Sequence, residues 1–181
     1  MAIGANITVW FPFLAVPIGS ATVPVTLQTF FAILAGLMLG RKLGSLSMIT
    51  YILVGVAGVP IFAGLKSGPM IFFSATGGFI LSFVFIAFFV GWIAEKSKHK
   101  KLLPYSIAAI IGLILNYSIG VTYMFAAMNF WLEIPISYSQ AWIVMVPFMI
   151  KDFPLSLLAA LFMVNLAHRL PRRWINRYAT T

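Results

Sequence analysis

The chain is built from apolar runs long enough to cross a bilayer, separated by short loops. One run extends from Val23 to Leu39 and stops at Gly40-Arg41-Lys42; another extends from about residue 76 to 94 and stops at Glu95 and the EKSKHKK stretch. The hydrocarbon layer of a membrane is about 30 Å thick, which takes roughly 20 helical residues to cross. Inside it the chain must satisfy its own backbone N–H and C=O groups, and a helix does so within one segment. The composition agrees: 62% of the residues are hydrophobic and 8% charged, where a soluble domain carries about 25% charged residues. An all-α integral membrane protein is expected.

Six apolar segments predict a six-transmembrane-helix bundle in one membrane domain spanning residues 1–181, with helices at about 3–18, 23–39, 44–64, 76–94, 103–128 and 140–168. The first is short for a span and includes Asn6, Trp10 and Pro12, so a short or truncated first helix is expected. No secretory leader ahead of a separate mature domain is expected.

The basic residues set the orientation. Of 12 Lys and Arg, six lie at 41–42 and 96–101 and four at 169–177. If the chain crosses at every segment, those places share one side, and the other side keeps only Lys66. Such a bias marks the cytoplasmic face, so both termini are expected there, with the loops at 65–75 and 129–139 outside. Trp131, Tyr138 and Trp142 then fall near the outer interface, and Trp92, Tyr105, Trp174 and Tyr178 near the inner one. The net charge of +9 resides in these loops, so nucleic acid is not an expected partner; membrane lipid is.

One acidic residue breaks the pattern. The chain has three, Glu95, Glu133 and Asp152, and Asp152 stands beside Lys151 inside the last apolar run. An ionised side chain at mid-bilayer costs roughly 2.5–3.5 kcal/mol on insertion scales and normally faces the bundle interior with a partner. Neighbours in sequence point about 100° apart on a helix, so each is expected to have a second partner as well. Pro147 and Pro154 each remove a helix hydrogen bond, which predicts a bent helix lining a cavity. The pair is either a polar group aimed at a ligand or a structural fastener. Asp152 lies about 18 Å beyond Gln140, and Asn116 lies equally far from the end of its own segment, so the two share a level, with Tyr117 and Tyr123 nearby. Asn116 would form part of a pocket floor or hydrogen-bond between helices. In the loop ahead of the fourth helix, Thr76 is expected to cap the helix, and Gly77-Gly78 offers free N–H groups to an anion or simply makes a glycine turn.

Other chemistries lack their residues. There is no cysteine, hence no disulfide or thiolate. There is no Walker motif, and His99 and His168 form no metal pattern. A lone intramembrane carboxylate argues against an aspartyl protease or a metal-dependent lipid enzyme. Neither a cofactor nor catalytic activity is expected.

VPVTLQTFFAILAGLMLGRKLGSLSMITYILVGVAGVPIFAG, then SATGGF, then GLILNYSIGVTY resemble the biotin-binding membrane subunits (BioY) of energy-coupling-factor (ECF) vitamin transporters, from about Gly4 to the end of the last segment. The resemblance implies a six-helix substrate-capture subunit, or S component, in a bacterial plasma membrane. Such subunits bind the vitamin from outside and work with a transmembrane coupling protein and two cytoplasmic ATPases. It also implies a site that includes the turn Thr76, Gly77, Gly78 and Phe79, where Phe79 stands for the usual Tyr. The family's Gly-Asp-x-x-Lys in the last helix corresponds to Lys151, Asp152 and Leu155, so the basic partner is four residues earlier on nearly the same face. Biotin's ureido ring matches Asp152 as acceptor and Asn116 as donor. Its carboxylate matches the Thr76–Gly78 turn or Lys151. The remaining readings are an S component for another small vitamin and a non-transport membrane protein in which Lys151–Asp152 is a structural ion pair.

Overall fold

The structure is a computed structural model that describes residues 1–10, 15–18, 21–97 and 101–169. The expected first helix over 3–18 is not formed. Two short turns, α1 (Ala2–Ala5) and α2 (Ile7–Trp10), are followed by strands β1 (Ala15–Ile18) and β2 (Ala21–Pro24). The strands pair antiparallel, Ala15 opposite Pro24 and Ile18 opposite Ala21. The reason is local: Asn6 ends α1, and Pro17 and Pro24, each without an N–H, sit among β-branched residues.

Four helices follow that are long and apolar enough to span a membrane: α3 (Gln28–Val56), α4 (Gly77–Lys96), α5 (Leu102–Phe130) and α6 (Tyr138–Arg169). α3 counts twice. Gly40 has φ 75° and ψ −179°, outside the helical region. After it the chain reverses. Gln28 Nε2 donates to Tyr51 Oη at 3.1 Å across 23 residues, which a straight helix would hold about 35 Å apart. Gly44 lies against the backbone of Ala35 and Gly36. The arms 28–39 and 41–56 are therefore antiparallel neighbours, the counterparts of the expected segments 23–39 and 44–64. Residues 57–64, read as helix from their apolarity, form a loop in which Gly58 and Gly64 have φ 109° and 73°. The bundle thus has five long helices among the described residues.

The first described residues and the last lie at opposite ends of the bundle, where both termini were expected on one side. Leu27 N–H donates to Gly4 O at 2.8 Å, and Asn6 Oδ1 accepts from Leu65 N–H at 2.8 Å. The first residues therefore sit with the start of α3 and the loop after it, whereas α6 ends at Arg169 on the far side. That far end also carries Arg41, Lys42, Lys96 and Lys101. Lys98, His99, Lys100 and the tail with Arg172, Arg173, Trp174, Arg177 and Tyr178 lie outside the described residues. Tyr105, expected near the inner interface, lies in the first turn of α5 next to Lys101 and is buried against its neighbours.

Small residues set the closest helix crossing. Gly36 and Gly40 of α3, four apart, face Ala87 and Gly91 of α4, also four apart, a spacing that lets helix backbones approach in a membrane. A Cβ on Gly36 would lie 2.7 Å from Ala87 O, and one on Gly91 would lie 2.5 Å from the carbonyl carbon of Gly40. Glu95 closes the reversal: its Oε1 accepts from Arg41 N–H at 2.8 Å and its Oε2 lies 3.3 Å from Arg41 Nε. A carboxylate so placed caps the helix arm that starts at residue 41. At the other end Ser137 and Gln140 form a reciprocal cap for α6: Gln140 Oε1 accepts from Ser137 N–H at 2.8 Å, and Ser137 Oγ from Gln140 N–H at 3.2 Å. α6 runs on through Pro147 and Pro154 as one helix.

Candidate ligand-binding site

Between α3, α4, α5 and α6, under the loop 57–76, lies a cavity of about 340 Å³, within the range of small-molecule sites. Its apolar wall includes Phe79, Phe83, Met145 and Phe148, and its polar lining includes Asn116, Tyr117, Lys151 and Asp152. Antiparallel α5 and α6 bring Asn116 and Asp152 to one level, as the counting of turns expects.

Asp152 is 4% exposed. Its Oδ2 accepts from Tyr117 Oη at 2.9 Å, and its Oδ1 lies 2.7 Å from Lys151 Nζ. Lys151 Nζ also donates to the carbonyl of Thr26. Each charge therefore has the second partner expected of it, and the two also meet directly because the flexible lysine chain curls back. Oδ1 nonetheless accepts no aligned hydrogen bond, and among the described residues it is the one buried side-chain polar atom without one. Asp152 lines the cavity, and a carboxylate oxygen has two lone pairs, so Oδ1 has acceptor capacity beyond its ion pair with Lys151. The ion pair fastens α6 to the start of α3, and it also borders a hollow.

Asn116 is a junction of three helices. Its Oδ1 accepts from Ser82 Oγ at 2.7 Å, and its Nδ2 donates to Thr29 Oγ1 at 3.2 Å. The interhelical role is real, and one amide proton remains for the cavity it lines. Tyr117 packs edge-on against Phe79, ring centroids 6.0 Å apart.

The turn ahead of α4 is used differently from expectation. Thr76 stands at the N-cap but makes no side-chain capping bond; its hydroxyl meets Ser74 Oγ at 3.2 Å. Thr76 and Phe79 line the cavity, whereas Gly77, Gly78 and Tyr123 do not. A Cβ on Gly78 would lie 2.5 Å from Tyr123 Cγ, so this glycine lets α5 approach α4. Tyr123 Oη donates to Phe72 O, which ties α5 to the turn. Gly77 N–H donates to Ser74 O at 3.0 Å and Phe79 N–H to Thr76 O at 3.1 Å, so two amides of the supposed anion site are already bonded.

Thr26, Gln28, Thr29, Lys66 and Ser74 also line the cavity, and none of them was singled out as a site residue from the sequence. The signal was there: Thr26, Gln28 and Thr29 are polar residues crowded at the start of an apolar run.

Tyr117→Phe keeps the ring and removes one donor from a buried carboxylate. It is expected to destabilise the protein by about 1.5–3 kcal/mol, read as a lower melting temperature in detergent. An unchanged melting temperature would mean that the Tyr117–Asp152 bond contributes nothing.

A bundle of membrane-length apolar helices defines a multi-pass membrane protein, here with an internal cavity of small-molecule size. The BioY family profile matches residues 1–172, and the chain belongs to that family. It is 43% identical over 158 residues to BioYB of Bacillus subtilis (strain 168), which covers 87% of this chain and 77% of that one. It is 30% identical over 182 residues to the biotin transporter BioY2 of Lactococcus lactis subsp. cremoris (strain MG1363), covering 99% and 93%. Its fold is similar to that of the crystal structure of the S-component for biotin from an ECF-type ABC transporter, with TM-score 0.64 and 23% identity over 91% of this chain and 88% of that one.

Proposed function

We propose that this chain is the biotin-capture subunit of an ECF-type uptake system, a binding and transport protein without catalytic chemistry or a cofactor of its own. The observation that carries the reading is Asp152: a carboxylate buried inside the helix bundle, hydrogen-bonded by Tyr117 and ion-paired with Lys151, on the lining of the cavity. A cyclic urea presents two N–H donors, and the Asp152 carboxylate accepts one of them. The second amide proton of Asn116 meets the urea oxygen. Phe79, Phe83, Met145 and Phe148 enclose the sulfur ring and alkyl chain. The BioY2 relative, named a biotin transporter, supports the ligand.

The cavity end faces outward and the end with Arg41, Lys42, Lys96, Lys101 and Arg169 faces the cytoplasm of a bacterial cell, in keeping with the excess of positive charge there. Lacking a phosphate-binding motif, the chain draws its driving force from a transmembrane coupling protein and two cytoplasmic ATPases, a reading the S-component fold supports. The relocated lysine keeps a second reading open, an S component for another small vitamin. Lys151 occupies the family's glycine position, and its ammonium still reaches Asp152.

Calorimetry on detergent-purified protein separates the two. Biotin is expected to bind saturably at one site per chain and to resist displacement by a panel of other vitamins. No binding heat with biotin, together with binding of another vitamin, would overturn the assignment.

A further inference from the structure

The buried end of the cavity is balanced in charge. Lys151 is engaged by Asp152 and Thr26, and Asp152 by Lys151 and Tyr117. One further charged side chain lines the cavity, Lys66 on the loop after α3. It is exposed, and among the described residues its ammonium enters no ion pair or side-chain hydrogen bond. The cavity therefore has a net single positive charge, located at its exposed margin and not on its floor.

That charge is held by a clamped loop. Phe62 N–H donates to Lys66 O at 3.1 Å across a turn in which Gly64 and Leu65 have φ 73° and 55°. Phe62 is fully buried and packs edge-on against Tyr51, centroids 5.6 Å apart. Tyr51 Oη donates to Ile61 O at 2.9 Å, Leu65 N–H to Asn6 Oδ1 at 2.8 Å, and Gly68 N–H to Gly55 O at 2.8 Å. The backbone that carries Lys66 is thus tied on several sides, and only its side chain is free to meet a ligand. A cation on a rigid support gives orientation as well as attraction.

We infer that Lys66 is the cation that receives the carboxylate of the ligand and so makes this site prefer an acid over its uncharged analogues. The inference rests on the biotin reading above and assigns the acid end of that ligand. Of the competing groups, Lys151 is engaged by its ion pair, and the Gly77 and Phe79 N–H groups by Ser74 O and Thr76 O. The ligand then lies with its neutral, hydrogen-bonding head on the Asp152 floor and its anionic tail at the loop.

Calorimetry with biotin and with its uncharged primary amide, on the wild-type protein and on Lys66→Met and Lys66→Arg variants, tests it. Wild-type protein is expected to bind the acid about three- to tenfold more tightly than the amide, the scale of a solvent-exposed charge-assisted contact. Lys66→Met loses that factor for biotin and leaves the amide unchanged; Lys66→Arg restores much of it. Raising the salt concentration narrows the acid–amide gap in wild type and not in Lys66→Met. Wild-type protein that binds biotin with an acid–amide ratio untouched by Lys66→Met overturns the inference and leaves the biotin reading standing. Wild-type protein that binds neither compound overturns both.

Discussion

Asp152→Asn lowers biotin affinity at least tenfold, measured by calorimetry on the purified protein. The substitution keeps the shape of the side chain and changes what it offers. Asp152 faces two donors, Tyr117 Oη at 2.9 Å and Lys151 Nζ at 2.7 Å. An amide has one oxygen for them and turns its own NH₂ toward the other donor or toward the ligand. The half-buried ammonium of Lys151 also loses its counter-ion, and removing one partner of a buried charge pair costs about 2–5 kcal/mol in binding systems. A Lys151→Met/Asp152→Asn double variant separates the two roles of the carboxylate. With the ammonium gone, no charge is left unpaired and stability recovers. If Asp152 also accepts from the ligand, binding stays weak. If it were only a fastener, affinity would return along with the melting temperature.

Gly91→Ala destabilises the bundle by about 2–4 kcal/mol and lowers the melting temperature in detergent by roughly 5–15 °C. The added methyl would lie 2.5 Å from the carbonyl carbon of Gly40 and 2.7 Å from Arg41 Cα. Those are backbone atoms of the chain reversal, so no rotamer change relieves the overlap and α4 has to move away from α3. Moving it also strains the 2.8 Å bond from Arg41 N–H to Glu95, the cap on the returning arm. Since α3 supplies Gln28 and Thr29 to the cavity and holds Asn116 through Thr29, biotin affinity falls with stability. A melting temperature within about 1 °C of wild type would mean that the small-residue crossing is not under steric pressure.

The long helices were legible in the residues themselves. The expected 76–94, 103–128 and 140–168 compare with Gly77–Lys96, Leu102–Phe130 and Tyr138–Arg169, because each is an apolar run bounded by charges or by polar and proline-containing loops. Hydropathy misled at two places. Residues 57–64 are as apolar as a helix, but Gly58, Pro60 and Gly64 direct them into a loop over the cavity. The first segment is apolar as well, yet its prolines and β-branched residues give paired strands over 15–18 and 21–24. An apolar average says where a segment is comfortable and not which backbone it takes.

The site divided in the same way. Asp152, Lys151, Asn116 and Tyr117 stood out because polar groups inside a membrane are expensive enough to need a reason, and all four line the cavity. Gly77 and Gly78 were read as anion-binding backbone or a plain glycine turn, and in the structure they allow the close packing of α4 on Phe72 and Tyr123. Lys66 looked like an ordinary loop lysine, since nothing in its neighbours in sequence ties it to Asp152.

Read alone, the sequence determined that this chain lives in a membrane, where its last three long helices lie, and which residues pay for being polar there, because the transfer of each side chain into lipid is a local quantity that sums along the chain. Only the tertiary structure decided that α3 doubles back at Gly40, that the first described residues sit at the cavity end, and that Thr26, Lys66, Asn116 and Asp152 share one hollow. Those facts depend on backbone contacts between residues far apart in sequence, and such contacts leave no mark in the hydropathy of any one segment.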